Sequence, residues 1–483
     1  MARPPVSVRM YRKLLGDCFL ITIGDPKAKR EDRVHILIDC GVLQNVPGEA
    51  ELMKAVAEDL RGTVGDYVDL LVVTHEHWDH ISGFAHARDL LIDGLAIRKL
   101  WLAWTERRGD EQADAYRAKG KIAKEVVARV AALKAGRSIT AGIEDFNGPT
   151  SGGPADGAVA PVPTRRLLSD QIIPALIERA GQTGSVEYLE PGRVLDTPGP
   201  LALRANVLGP PRNPARLMKD LPSPGDAKET YIANEFAASL AYRYAIAGAL
   251  GDALDGQGSG PFEATYRRTR AEVAAGRTDK ARWLRERYPL KEADWRGIDD
   301  DWLDAGGSLA LKVDSDTNNT SLALAFELEP GGDALVFAAD AQVGNWMSWH
   351  DQSYPSPASA GAPSASAKDL LGRAVFYKVG HHASHNATLR GLGLELMTHP
   401  GLCAMIPVVE AEARRVKDGK AVHRGWDMPY PDLYSRLLAA TSGRLLRGDA
   451  EPGKDPSGKI ISKDRAFLAR VTGCELYHEL SIQ

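Results

Sequence analysis

The chain has 483 residues, 44% of them hydrophobic, and a formal net charge of -4. That is an ordinary globular composition with enough apolar material for a sizeable core, and the charge is too mild to declare a partner. A nucleic-acid binder of this composition has to concentrate positive charge locally. The four cysteines, Cys18, Cys40, Cys403 and Cys474, are widely spaced and form no CxxC pair, which argues against a disulfide framework or a cysteine zinc site. The opening MARPPVSVRMYRK has no apolar leader core, and no later run is long and uncharged enough to span a bilayer. The expectation is a cytoplasmic protein with no membrane partner.

Strand signals come first: Val6–Met10 alternates, Cys18–Ile23 is apolar, and Val34–Asp39 is β-rich. A short helix is expected over 49–61. An apolar strand over 67–73 runs straight into a histidine cluster, and 97–104 reads as another strand. Residues 106–136 are charged and alanine-rich, which favours helix. The Gly/Pro/Ala-rich stretch 147–163 reads as a loop, 168–179 as a helix and 201–208 as a strand. Residues 212–305 read as a second helical insertion, with an apolar helix at 231–254 and a basic stretch at 267–287. Strands are expected again at 308–313, 321–326, 334–338, 375–379 and 404–409, with a Ser/Ala/Pro loop at 353–367 and a helix at 432–440. No internal repeat is visible. The pattern predicts one α/β domain over 1–483, a layered sandwich carrying helical insertions at 105–200 and 212–305, of unspecified oligomeric state.

The chemistry concentrates in Thr74-His-Glu-His-Trp-Asp-His80. Alternate side chains of an extended chain point to one side, so His75 and His77 can meet one metal. Asp79 and His80 lie where the chain turns towards a helix and can meet a second ion. A lone histidine is usually a core or surface residue, but three with an aspartate in six positions after an apolar strand seldom arise by packing. Downstream, Asp340 ends a strand where a carboxylate can bridge two cations, and Lys378-Val-Gly-His-His-Ala-Ser-His385 follows another apolar strand. Glu76 and Trp78 are expected at an exposed rim, His86 on the surface, and Gly344-Asn-Trp346 in a turn.

His-x-His-x-Asp-His, with Gly16-Asp-Cys-Phe-Leu-Ile21 and Ile36-Leu-Ile-Asp-Cys-Gly41 before it, resembles the metallo-β-lactamase superfamily. Asn319-Thr-Ser-Leu-Ala-Leu324, Ala339-Asp-Ala-Gln342, Val379-Gly-His-His-Ala-Ser384 and Tyr430–Leu437 are similar to the hydrolase domain of the competence protein ComEC. The resemblance implies an αββα sandwich and a metal centre. His75 and His77 would hold metal one, Asp79 and His80 metal two, and Asp340 both, with His382 the favoured last ligand and His381 facing substrate. It also implies that Asp39 steadies the histidine loop. Ala339 and Ala383 stand where the family usually has glycine. The family's third histidine for metal one is absent, since none occurs between His86 and His350, and Gly209 lies near its place; a weaker metal one is the expectation.

A bound cation lowers the pKa of water towards neutrality, which gives hydroxide for hydrolysis. Asp79 or Asp340 would orient it, and His381 or His385 would stabilise developing charge. The donor set suits zinc, one ion or two, with manganese or iron as alternatives. The resemblance implies a small-molecule or nucleic-acid phosphodiester as substrate, with a nuclease or phosphodiesterase activity. A carboxylic ester, thioester or lactam hydrolase and a non-catalytic interaction module are the competing readings.

Overall fold

The structure, a computed structural model, describes residues 4–132, 167–219, 270–287, 315–355, 364–417, 422–423 and 425–482. Alternation along the strands decides the layering, because successive side chains leave opposite faces of a sheet. Val6, Val8, Met10, Phe19, Ile21, Ile36, Ile38, Leu70 and Val72 enter one buried cluster together with Phe326, Leu335, Phe337 and Phe376. Their neighbours Leu20, Leu37, Leu71, Val73, Val336 and Tyr377 enter a second cluster that includes helical residues such as Met53, Val56, Phe84 and Trp346. The central strands are thus apolar on both faces, one turned to the other sheet and one to a helix, whereas Val6–Tyr11 carries Ser7 and Arg9 on its second face. Full burial of a side chain of this size contributes roughly 1.5–3 kcal/mol.

Two sheets result. The first runs in the order Val471–Gly473, Tyr477–Ile482, Val6–Tyr11, Cys18–Ile23, Val34–Cys40, Leu70–Val73, Lys99–Ala103 and Ser185–Leu189. It is antiparallel up to Val34–Cys40 and parallel beyond it. The second runs Leu445–Arg447, Cys403–Ile406, Ala374–Lys378, Ala334–Phe337, Ala323–Glu327, Arg204–Gly209 and Val194–Asp196, with its first four strands parallel. Phe19 and Phe337 meet edge to face between the sheets, with ring centroids 5.9 Å apart. Helices Trp78–His86 and Ser169–Thr183 cover the first sheet, and Val343–Trp349 and Ala367–Gly372 cover the second. This is the mixed α/β, αββα layering that the resemblance implies.

The chain divides into two compact units, one of residues 1–119, 142–235 and 314–483 and one of 120–141 and 236–313. In the second, helices Arg270–Ala275 and Asp279–Arg287 pack on each other. The separate unit is smaller than the stretches read as insertions, because Ser185–Leu189 and Val194–Asp196 are sheet strands. Their short, half-exposed runs hide that role. Gly344-Asn-Trp346 lies inside a helix rather than a turn. Tyr477–Ile482 pairs along the whole of Val6–Tyr11, a pairing of chain ends that no local pattern announces. The expected loop at 147–163, helix at 231–254 and strand at 308–313 lie outside the described residues. No described helix is long and apolar enough to cross a membrane.

Candidate metal centre

The parallel strands of the two sheets release their next residues at one edge. Leu70–Val73 delivers Thr74 to His80, Ala334–Phe337 delivers Asp340, and Ala374–Lys378 delivers His381 and His382. The sheets are tied there by the Leu322 N–H, which donates to the Thr74 carbonyl at 2.9 Å. The first turn of helix Trp78–His86 rests against Gly41, where a Cβ would stand 2.3 Å from the Asp79 carbonyl. Only glycine permits that approach. The second sheet makes tight left-handed turns, with φ of +50° at Ala339, +42° at His381, +50° at His382 and +63° at Ala383. Such φ values are costly for residues with a Cβ, and they cluster where side chains must be aimed.

Asp79, His80, Asp340 and His382, all buried, bring one ligand atom each within 4.8 Å of one another. His382 Nε2 is 2.9 Å from Asp79 Oδ2, and His80 Nε2 is 3.3 Å from Asp340 Oδ2 and 3.6 Å from Asp79 Oδ2. Tetrahedral coordination at roughly 2.0–2.2 Å sets neighbouring ligand atoms about 3.3–3.6 Å apart, so the spacing fits a transition metal. Both imidazoles are held from behind. His80 Nδ1 lies 2.8 Å from Asp39 Oδ2, and His382 Nδ1 lies 2.7 Å from the Pro407 carbonyl. Each Nδ1 donating its hydrogen leaves Nε2 as the free donor atom for a cation. Asp39 is held in turn by the Thr74 N–H at 2.8 Å and the Thr74 hydroxyl at 2.7 Å. It steadies the histidine loop.

Asp79 Oδ1, Asp340 Oδ2 and His75 Nε2 are buried without a hydrogen-bond partner. Such atoms are expensive in a folded interior, and a cation would satisfy them. The charges agree. Burial alone would raise the Asp340 carboxyl, but His80 and Lys378 hold it well below the usual range. Burial opposes charge on His80, yet Asp340, Asp17 and Asp79 lift it well above the ordinary imidazole value. His382 is raised against its burial by Asp79 and Asp340. The buried carboxylates stabilise positive charge at this point, on an imidazole or on a cation.

His75 and His77 are adjacent, their rings 4.7 Å apart and His75 4.2 Å from the His80 ring. Burial, with His80 and His77 nearby, holds His75 well below its usual pKa. Among the described residues, three or more ligand-type side chains come together at the four-residue cluster and at Asp17, Asp39 and His80, and neither group takes in His75 or His77. A Cβ on Gly209 would stand 2.0 Å from Asn345 Oδ1, so that space is filled by an asparagine whose amide donates to the Asn319 and Ser321 carbonyls.

His381 is 5% exposed, its backbone N–H donates to Asp340 Oδ1 at 3.0 Å, and burial lowers its pKa to about 4. His385 lies outside the four, its ring 6.3 Å from that of Tyr430 and 3.4 Å from the Ser384 hydroxyl. Trp78 is fully buried and packs on His86, whose side chain is 1% exposed, so neither is the surface residue expected. Helix Trp78–His86 is buried along nearly its whole length, which an amphipathic reading does not foresee. The sequence reading also missed Asp17 and Lys378. Their one visible signal is a lysine closing the apolar run Ala374-Val-Phe-Tyr-Lys378.

Residues 14–164 match the model of a family described as the metallo-beta-lactamase superfamily, whose members are generally metal-dependent hydrolases. No curated protein matches the chain.

Proposed function

We propose that the chain is a metal-dependent hydrolase of phosphodiester bonds, a nuclease or phosphodiesterase, holding a divalent transition metal on Asp79, His80, Asp340 and His382. The observation that carries the metal reading is the buried four-residue cluster, with Asp79 Oδ1 left without a hydrogen-bond partner and Asp340 Oδ2 turned into the cluster. Two imidazoles and two carboxylates suit zinc first, and manganese or iron as well. When bound, the cation supplies Lewis acidity and brings the pKa of water towards neutrality. Asp79 Oδ1, free of other donors, accepts a hydrogen bond from the attacking water and orients it. His381, beside the cluster at the end of the same turn, donates to the oxygen on which charge develops. His75 and His77 flank the cluster as a second, weaker position.

The phosphodiester assignment rests on the ComEC-like motifs around Asn319, Asp340 and His382. The basic residues of 204–219 do not add to it. Arg212 is paired with Asp110 at 2.7 Å, Arg216 with Asp351 at 2.9 Å, and Arg204 is buried 4.0 Å from Glu327. Metal-loaded protein should cleave bis-p-nitrophenyl phosphate or single-stranded DNA faster than p-nitrophenyl acetate or a β-lactam. A clear preference for the ester or the lactam would replace the phosphodiester reading.

A further inference from the structure

We propose that Lys378 is a positioning residue that confines Asp340 to a single metal-facing oxygen; this rests on the metal reading above. Lys378 ends its strand with a side chain only 1% exposed. An ammonium has three hydrogens to place, and three acceptors surround it. Nζ pairs with Asp17 Oδ2, donates to the Ala339 carbonyl at 3.0 Å, and lies 3.4 Å from Asp340 Oδ1. Oδ1 also accepts the His381 N–H at 3.0 Å. One oxygen of Asp340 is therefore fully engaged from behind. The other, Oδ2, has no partner outside the cluster and stands 3.3 Å from His80 Nε2 within it.

Little solvent is at hand to take over this task. The cavity at Lys378, lined also by Asp17, Asp39, Thr74 and Ala339 among others, has a volume of about 10 Å³. That is room for about one water at most. Nor does Lys378 repel the cation as an isolated charge would, because Asp17 balances it in direct contact. Asp17 and Lys378 form a neutral buried unit whose remaining contact sets the orientation of Asp340. A lysine present only to neutralise Asp17 would need no contact with Asp340, and that is the rival account.

Cobalt(II) titrated into metal-free protein separates the two, with affinity read by calorimetry and coordination by the visible absorption bands. Asp17→Asn leaves Lys378 on Asp340 and should keep the wild-type spectrum. Lys378→Met combined with Asp17→Asn removes the tether at unchanged net charge. It should bind cobalt about 10–100-fold more weakly, as loss of an outer-shell partner does, with shifted bands. An unchanged double variant, or an Asp17→Asn spectrum as altered as that of the double variant, overturns the proposal. Should the double variant not fold, Lys378→Arg keeps the charge but presents a planar fork that cannot meet the same three acceptors; an unaltered spectrum there overturns it equally. Wild-type protein that takes up no cobalt overturns the metal reading itself, a result distinct from all of these.

Discussion

Two charged clusters, each built around buried carboxylates, sit at opposite ends of the same strands, and they differ in how completely those carboxylates are satisfied. At the far end, Asp69 accepts the His35 N–H at 3.0 Å, Arg30 at 3.0 Å and Arg98 at 3.1 Å. Arg30 also donates to the carbonyls of Val64, Arg33 and Tyr67, and the Tyr67 ring lies between the two guanidiniums at 3.8 and 3.5 Å. At the near end, Asp79 Oδ1 has no donor, and Asp340 Oδ2 faces only the cluster's own histidine at 3.3 Å. A charge cluster closed upon itself is structural, whereas one left short of positive charge is where an outside cation adds stability.

The largest expected effect breaks the open cluster. Asp79→Ala with His80→Ala should lose the bound metal and all hydrolysis, both measured on the purified protein. Chelation should lower the thermal midpoint of wild type, by an amount corresponding to about 3 kcal/mol at a hundredfold excess of metal over Kd, and leave the double variant unmoved. A variant with full metal content would remove these residues from the site.

Breaking the closed cluster should do the reverse. Asp69→Ala should cost about 2–3 kcal/mol in urea unfolding, less than a fully buried pair because Arg98 is half exposed. Its metal content should match wild type, and a loss of metal would mean that the two ends are not independent.

The closed end also carries a pH signature. Burial first, then the charges of Arg30, Arg33 and Arg9, lower the His35 pKa to about 3. The unfolded chain protonates His35 near its ordinary value of about 6.5, before the folded one does. Its contribution is therefore intact above about pH 6.5 and is lost as pH falls towards 3, with a slope of at most about 1.4 kcal/mol per unit. His35→Gln should make the urea midpoint fall less steeply than wild type between pH 6.5 and 4. Parallel curves would show that His35 does not titrate in this way.

The smallest effect sharpens the open end. Ala339 and Ala383 hold left-handed φ where glycine is unstrained. Replacing either with glycine should stabilise by roughly 0.5–1 kcal/mol, the relief of a left-handed Cβ less the greater entropy of an unfolded glycine. Destabilisation would mean that the methyl groups pack more favourably than the strain costs.

The chemistry of the site was legible because it is local. His75 to His80 follow an apolar strand within a few residues, and alternation from Val6 to Met10 or Leu70 to Val73 states which face is inward. Both are set by backbone geometry over short distances. The sequence alone therefore determined a layered α/β fold and a candidate metal-ligand motif at a strand end.

Tertiary structure decided which groups meet. His382 rather than His381 reaches Asp79, 303 residues away in the chain, because the left-handed turn after the strand aims it there. Asn345 fills the space above Gly209, and Lys378 finds Asp17, through packing between elements with no sequence proximity. A composition or a period fixes which face of a strand is buried. It cannot fix which distant charge will stand opposite, since that depends on how two sheets register across their shared apolar layer.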